Sequence, residues 1–153
     1  MAAFFFDSSA LVKRYAREVG TPWILSLVRG SAANHIYIAR ITCVELVSAL
    51  ARRERAGRLG GSAVAKAIAR FDRELANRYI IVEVTARVVA GAMRLARSHA
   101  LRGYDAVQLA SAIEVHQARV AAGASSLTII SADDPLNAPA VAEGLLLDNP
   151  NNH

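Results

Sequence analysis

The sequence predicts an α/β domain built on a parallel sheet that helices cover on both faces. Short, apolar, β-rich runs recur along the chain, and each is followed by segments whose apolar residues repeat at helical spacing. The chain has 153 residues and no internal repeat, linker or low-complexity stretch, which makes it one domain over residues 1–153.

Residues 2–6, Ala-Ala-Phe-Phe-Phe, read as a short buried strand that stops at Asp7-Ser8-Ser9, a run of helix N-capping residues. A helix is expected from Ala10 to Gly20. Thr21-Pro22 then supplies the N-cap and first residue of a second helix, ending at Gly30. Residues 35–39 form a second strand, and Thr42-Cys43-Val44-Glu45 has the capping-box pattern that would open a helix to about Ala56. The glycine-rich stretch 57–61 is a loop. A helix from Ser62 follows, with Val64, Ala67, Ile68, Phe71 and Leu75 on its apolar face. Residues 79–84 give the third strand, Thr85 caps the next helix, and Gly103-Tyr104-Asp105 punctuates it before a long helix from Asp105 to about Ala122. Residues 127–131 are the fourth strand, Ala132-Asp133-Asp134-Pro135 leads into a short helix, and residues 145–147 end the sheet.

Composition removes several classes of function. With 54% hydrophobic and 20% charged residues and a mean hydropathy of +0.26, the chain is neither disordered nor collagenous. No apolar run reaches the roughly 18–20 residues that span a bilayer, and the first residues lack the basic region of a secretory signal. The single Cys43 allows no internal disulfide, as suits a reducing compartment. The expectation is a cytoplasmic protein with no membrane attachment. Eighteen basic residues, all but two of them Arg, stand against 13 acidic ones for a net charge of +5. That excess suits a polyanionic partner and serves simple solubility equally well.

The acids are the informative residues. Asp7 directly follows the first strand, Asp133 follows the fourth, Glu45 lies in the first turn of the helix after the second strand, and Asp105 opens the long helix. In a parallel sheet, strand C-termini and the following helix N-termini share the edge where ligands bind, so four carboxylates distant in sequence can meet there. Like charges that meet need a cation or proton between them, and the hard, oxygen-seeking Mg²⁺ or Mn²⁺ fits. Such an ion activates water and clamps a phosphodiester. Each acid also has a structural use: Asp7, Asp105 and Asp133 as helix caps, Glu45 as the return arm of the Thr42 box. Spacing alone leaves both uses open.

With these residues in view, the chain resembles the PIN-domain ribonucleases, most closely the VapC toxins of toxin–antitoxin pairs. The similar segments are Asp7-Ser8-Ser9-Ala10-Leu11-Val12-Lys13, Glu45 in Ile-Thr-Cys-Val-Glu-Leu, Asp105-Ala106-Val107-Gln108-Leu109-Ala110, and Ser131-Ala132-Asp133, in family order over about residues 4–147. The resemblance implies a PIN-like three-layer α/β/α sandwich. It further implies an endoribonuclease in which Asp7, Glu45, Asp105 and Asp133 are catalytic and hold Mg²⁺ or Mn²⁺, with Ser9 supporting the metal shell. RNA is the implied substrate, and a homodimer neutralised by a small antitoxin is the implied assembly. Asp134 adjoins Asp133; Asp133 is preferred because it follows Ser131 by the family's interval.

Other signals are weak. Nucleotide-binding glycine loops, a serine nucleophile elbow and zinc spacings are all lacking. Lys13, Arg14 and Arg17, on the helix after Asp7, are the better candidates for RNA phosphates. The run Arg52, Arg53, Arg55 and Arg58 also suits a helix C-terminus. The rival readings are a PIN nuclease of RNA processing that is no toxin, a phosphotransferase with Asp7 as nucleophile, and a non-catalytic α/β binding module.

Overall fold

Phe5 and Phe6 are neighbours in the first strand and both are fully buried, but they enter different cores. Side chains of a strand alternate between faces, so a strand with no polar side must lie inside a sheet covered twice. The structure, a computed structural model, describes residues 1–153, the side chain of Ser31 excepted. Its elements in chain order are β1 (Ala3–Phe6), α1 (Ser8–Tyr15), α2 (Thr21–Val28), β2 (His35–Ala39), α3 (Arg40–Arg55), α4 (Gly61–Arg78), β3 (Ile80–Val82), α5 (Ala86–His99), α6 (Gly103–Ala121), β4 (Leu127–Ile130), α7 (Asp134–Ala142) and β5 (Leu146–Asp148). Short 3₁₀ turns at Gly30–Ala32 and Pro150–Asn152 complete the chain.

The five strands are all parallel, in the order β3-β2-β1-β4-β5. Helices α1 to α4 pack on one face, where Leu11, Ile24, Leu46, Leu50 and Phe71 meet Phe6, Ile36 and Ile38. Helices α5 to α7 cover the other, where Leu95, Leu109 and Leu136 meet Phe5, Leu127 and Ile129. This is the three-layer α/β/α sandwich expected from the sequence.

Local boundaries differ where tertiary hydrogen bonds replaced local ones. Helix α1 begins at Ser8, before the expected Ala10, because Asp7 caps it, accepting from the Ala10 amide at 2.9 Å. It ends at Tyr15, well before Gly20, as the chain turns extended at Ala16. The Thr21 hydroxyl donates back to the Lys13 carbonyl at 2.8 Å, so the cap of α2 falls to Gly20. Gly20 has φ +83°, and a Cβ there would sit 2.2 Å from the Pro150 carbonyl oxygen, so only glycine fits this crossing. The expected Thr42–Glu45 capping box does not form. Helix α3 starts at Arg40, Ala39 is its N-cap without a side-chain bond, and both Thr42 and Glu45 bond to other elements. Strand β3 is shorter than residues 79–84, since it pairs with β2 through only three residues.

Candidate active site

The connections from β1 and β4 lead in opposite directions across the sheet, β1 toward β2 and β4 toward β5, although the two strands are neighbours. At such a switch point the loops after the strands diverge and leave a crevice beyond their carboxyl ends. Here the crevice holds about 540 Å³, and Asp7, Glu45, Asp105 and Asp133 all line it. Asp7 arrives from the end of β1, Glu45 from the second turn of α3, Asp105 from the first turn of α6, and Asp133 from the N-cap of α7. Asp134 is exposed and lies outside the crevice lining.

Asp7 is the most enclosed of the four, at 3% exposure. Its Oδ1 accepts from the Ser9 hydroxyl at 2.6 Å and the Ala10 amide at 2.9 Å, and its Oδ2 accepts from the Ser131 hydroxyl at 2.7 Å. Each serine serves twice: Ser9 Oγ also accepts from the Ala132 amide, and Ser131 Oγ from the Asp133 amide. The ends of β1 and β4 are thereby tied together through one carboxylate. A carboxylate has about four acceptor sites, so three bonds leave one lone pair for a cation. Burial raises the Asp7 pKa from 3.8 to about 6 despite those donors, with the Asp133 charge adding to the rise. Fully buried behind hydrogen bonds on both oxygens, Asp7 is poorly placed to be a covalent nucleophile.

A raised native pKa means that the folded state holds this proton more tightly than the unfolded one. The stabilisation is complete below pH 3.8 and is lost as pH rises through about 6, an amount of about 3 kcal/mol. Asp7→Asn removes the titration. In chelator-treated protein, denaturant unfolding should show the variant gaining about 3 kcal/mol on the wild type between about pH 4 and pH 7. A difference independent of pH would show that Asp7 ionises normally.

Glu45 is half-buried. Its Oε1 accepts from Gln108 Nε2 at 2.6 Å and its Oε2 from the Ser8 hydroxyl at 3.2 Å. Burial raises its pKa against those donors, and Asp133 pushes the same way. Asp105 is raised too, by burial first and then by the Asp133 charge, with Glu45 contributing. Asp133 thus acts on each of the other three. With Glu45 also acting on Asp105, the four carboxylates form one electrostatic cluster.

The cations are arranged differently from the sequence expectation. Lys13 is buried and donates to the Val19 carbonyl at 2.8 Å; Arg14 is buried in a two-pronged pair with Glu74, at 2.9 and 2.8 Å. Neither lines the crevice, and Arg17 is exposed outside it. The crevice instead carries Arg52 and Arg53 from the end of α3 and Arg102 from the N-cap of α6, with Tyr104 beside them, 62% exposed. Arg53 leans on Glu18 at 3.3 Å, while Arg52 and Arg102 are exposed.

Among the described residues no three His, Cys, Asp or Glu side chains stand close enough to be a ready-made metal cage. That is compatible with Mg²⁺ or Mn²⁺ chemistry, because Mg²⁺ commonly takes one or two carboxylates and keeps several waters. The lining offers the oxygens of four carboxylates and of serine hydroxyls, and no imidazole or thiol. The residues present fit a hard divalent cation.

The family profile described as PIN domain matches residues 4–137. The chain belongs to the PIN-domain family. Ribonuclease VapC45 of Mycobacterium tuberculosis (strain CDC 1551 / Oshkosh) is 38% identical to this PIN domain over 118 residues, which cover 75% of this chain and 78% of the relative. Among solved structures, a toxin–antitoxin complex from Klebsiella pneumoniae has a chain of the same fold. Its TM-score is 0.60 and its identity 16%, with 98% of each chain covered. Mycobacterium tuberculosis VapC20, described as a Sarcin-Ricin loop cleaving toxin, matches with a TM-score of 0.61 and 17% identity, over 94% of this PIN domain and 96% of that chain.

Sequence reasoning missed Gln108, Thr42, Ser131 and Arg102 as site residues. Three of these had a legible signal. Gln108 is a polar residue in an apolar stripe one turn after Asp105, Thr42 is one turn before Glu45, and Ser131 ends a strand beside two acids. Arg102 had no such signal.

Proposed function

We propose that this PIN domain is a divalent-metal-dependent endoribonuclease and the toxin of a toxin–antitoxin pair. The observation that carries the reading is the convergence of Asp7, Glu45, Asp105 and Asp133 on one crevice, three of them with pKa values pushed up in part by the fourth. A site that gathers four carboxylates, three of them with raised pKa values in spite of the nearby arginines, is built for a cation, here Mg²⁺ or Mn²⁺. When bound, that cation supplies a lowered pKa for water and charge stabilisation on phosphate. RNA as substrate is supported by the 38% identical relative, itself named a ribonuclease.

The chain's own residues divide the work. Asp7, locked by Ser9, Ser131 and the Ala10 amide, is the fixed anchor of the cation site. Glu45, Asp105 and Asp133 complete the acidic wall and order water against the phosphorus. Arg52 and Arg102 at the rim take the flanking phosphates, and Tyr104 offers a ring for an unpaired base. In hydrolysis the water oxygen bonds to phosphorus, one bridging P–O bond breaks, and the leaving oxygen takes up a proton. A small antitoxin covering this crevice and a homodimer complete the proposed assembly. The antitoxin is supported by the like-folded chain of the Klebsiella complex. The proposed setting is the cytoplasm; among the described residues no helix is long and apolar enough to cross a membrane.

Melting of the chelator-treated protein with and without Mn²⁺, alongside incubation with total RNA, tests this reading. Saturation at a hundred times the dissociation constant should add about 2.7 kcal/mol, raising the midpoint by about 5–10 °C. RNA should be cut only with the metal present. No shift together with no cleavage would overturn the proposal.

A further inference from the structure

Gln108 is a polar residue in an apolar place. It sits one turn into α6 after Asp105, is 1% exposed, and has buried Leu109, Ala110 and Ala112 for neighbours. Its Nε2 spends both hydrogens on α3: one on Thr42 Oγ1 at 2.8 Å, the other on Glu45 Oε1 at 2.6 Å. Thr42 is itself fully buried and lies one turn before Glu45, so a single amide bridges two successive turns of the facing helix. The orientation of the amide is chemically determined, because an ionised carboxylate only accepts hydrogen bonds and must face the NH₂ group.

The remaining amide atom argues that this glutamine serves the site rather than the fold. Its Oε1 is buried with no hydrogen-bond partner, a cost that a methionine or leucine of similar size would avoid. A locally unfavourable residue held against Thr42 and the Glu45 carboxylate of the crevice is expected where a side chain must be positioned. Glu45 needs positioning: its flexible side chain reaches the crevice from a half-buried helical position, and Ser8 on Oε2, at 3.2 Å, is its one other side-chain bond.

We infer that Gln108 is a positioning residue, which holds the Glu45 carboxylate in the orientation that receives the cation, with Thr42 fixing the amide. This rests on the reading of the crevice as a metal site. Thr42 and Gln108 act through Glu45 and touch neither metal nor RNA.

The test is calorimetric titration of Mn²⁺ into the purified protein without RNA, for wild type, Gln108→Met, Gln108→His, Glu45→Gln and the double variant Gln108→Met/Glu45→Gln. Gln108→Met should weaken Mn²⁺ by about tenfold to a hundredfold, the effect usual for loss of a partner that orients a metal ligand. It should do so in protein that still unfolds cooperatively in chelator, since methionine removes the unpaired Oε1 even as it leaves Thr42 and Glu45 without their donor. Gln108→His, which keeps an N–H donor, should retain more affinity than Gln108→Met, although methionine is closer in shape. In the Glu45→Gln background Gln108→Met should change nothing further, since its effect passes through Glu45. Wild-type affinity in Gln108→Met with a loss in Glu45→Gln overturns the inference alone, as does methionine outperforming histidine. Wild-type affinity in Glu45→Gln overturns the crevice reading itself. If Gln108→Met does not fold, Thr42→Val, which keeps the Glu45 bond but frees the amide, should cost a few-fold in affinity. An unchanged Thr42→Val then overturns the inference.

Discussion

Asp105→Asn should abolish metal-dependent RNA cleavage by this PIN domain, with an expected rate loss of at least about a hundredfold in protein that remains folded. The substitution removes one charge and almost no volume. Asp105 sits in the first turn of α6, half-buried, and its pKa is raised by burial and by Asp133, so its charge is unfavourable in the cation-free fold. The variant should therefore melt no lower than wild type in chelator. In the proposed mechanism the same charge serves a divalent cation in the crevice, and losing about 3 kcal/mol of charge stabilisation corresponds to about a hundredfold in rate. Single-turnover cleavage of RNA with Mn²⁺ measures this directly. Expression in a bacterial host at matched levels should stop growth with wild type and not with Asp105→Asn. Equal cleavage rates would remove Asp105 from the mechanism, and equal growth arrest would separate toxicity from the crevice.

Glu74→Ala should destabilise the fold by about 3–5 kcal/mol without involving the acidic crevice, and lower the melting midpoint by about 10 °C or more. Glu74 accepts both guanidinium bonds of Arg14, the Tyr15 hydroxyl at 2.7 Å and Arg70 Nε at 3.0 Å. Tyr15 in turn meets the Tyr79 hydroxyl at 2.7 Å, and its ring packs edge-on against Phe71. Burial pushes the Glu74 carboxyl up, but the bonds from Arg14, Tyr15 and Arg70 outweigh it and bring the pKa down to about 2. A depressed native pKa contributes stability that is present above 4.5 and lost as pH falls through about 2. Removing Glu74 leaves the Arg14 guanidinium buried without its partner, the costly half of a broken pair. Arg14→Met with Glu74→Leu should recover much of the loss in thermal unfolding, and failure to recover would locate the cost elsewhere in the network.

The fate of Arg14 shows where local reasoning reaches its boundary. Lys13, Arg14 and Arg17 follow Asp7 closely in sequence, and nearness in sequence suggested nearness to the crevice. Helix α1, however, turns Ser8, Ser9 and Val12 to the crevice, so Arg14, on another face, meets Glu74 sixty residues on, and Lys13 turns to the carbonyl of Val19. The arginines that line the crevice come instead from the end of α3, Arg52 and Arg53, and from the N-cap of α6, Arg102.

The sequence by itself determined the strand and helix order, the doubly covered parallel sheet and the four acids worth watching. Those follow from hydrophobic period and from residue types at element ends, which are local properties. Tertiary structure alone decided that the loops after β1 and β4 are neighbours, because strand order depends on which faces bury together. It also converted Thr42 from a cap into a partner of Gln108, and enclosed Asp7 with Ser131, 124 residues away. The Asp7 carboxylate is legible at position 7, but its pKa near 6 is set by a water-poor pocket that exists only once both strands and their helices have packed.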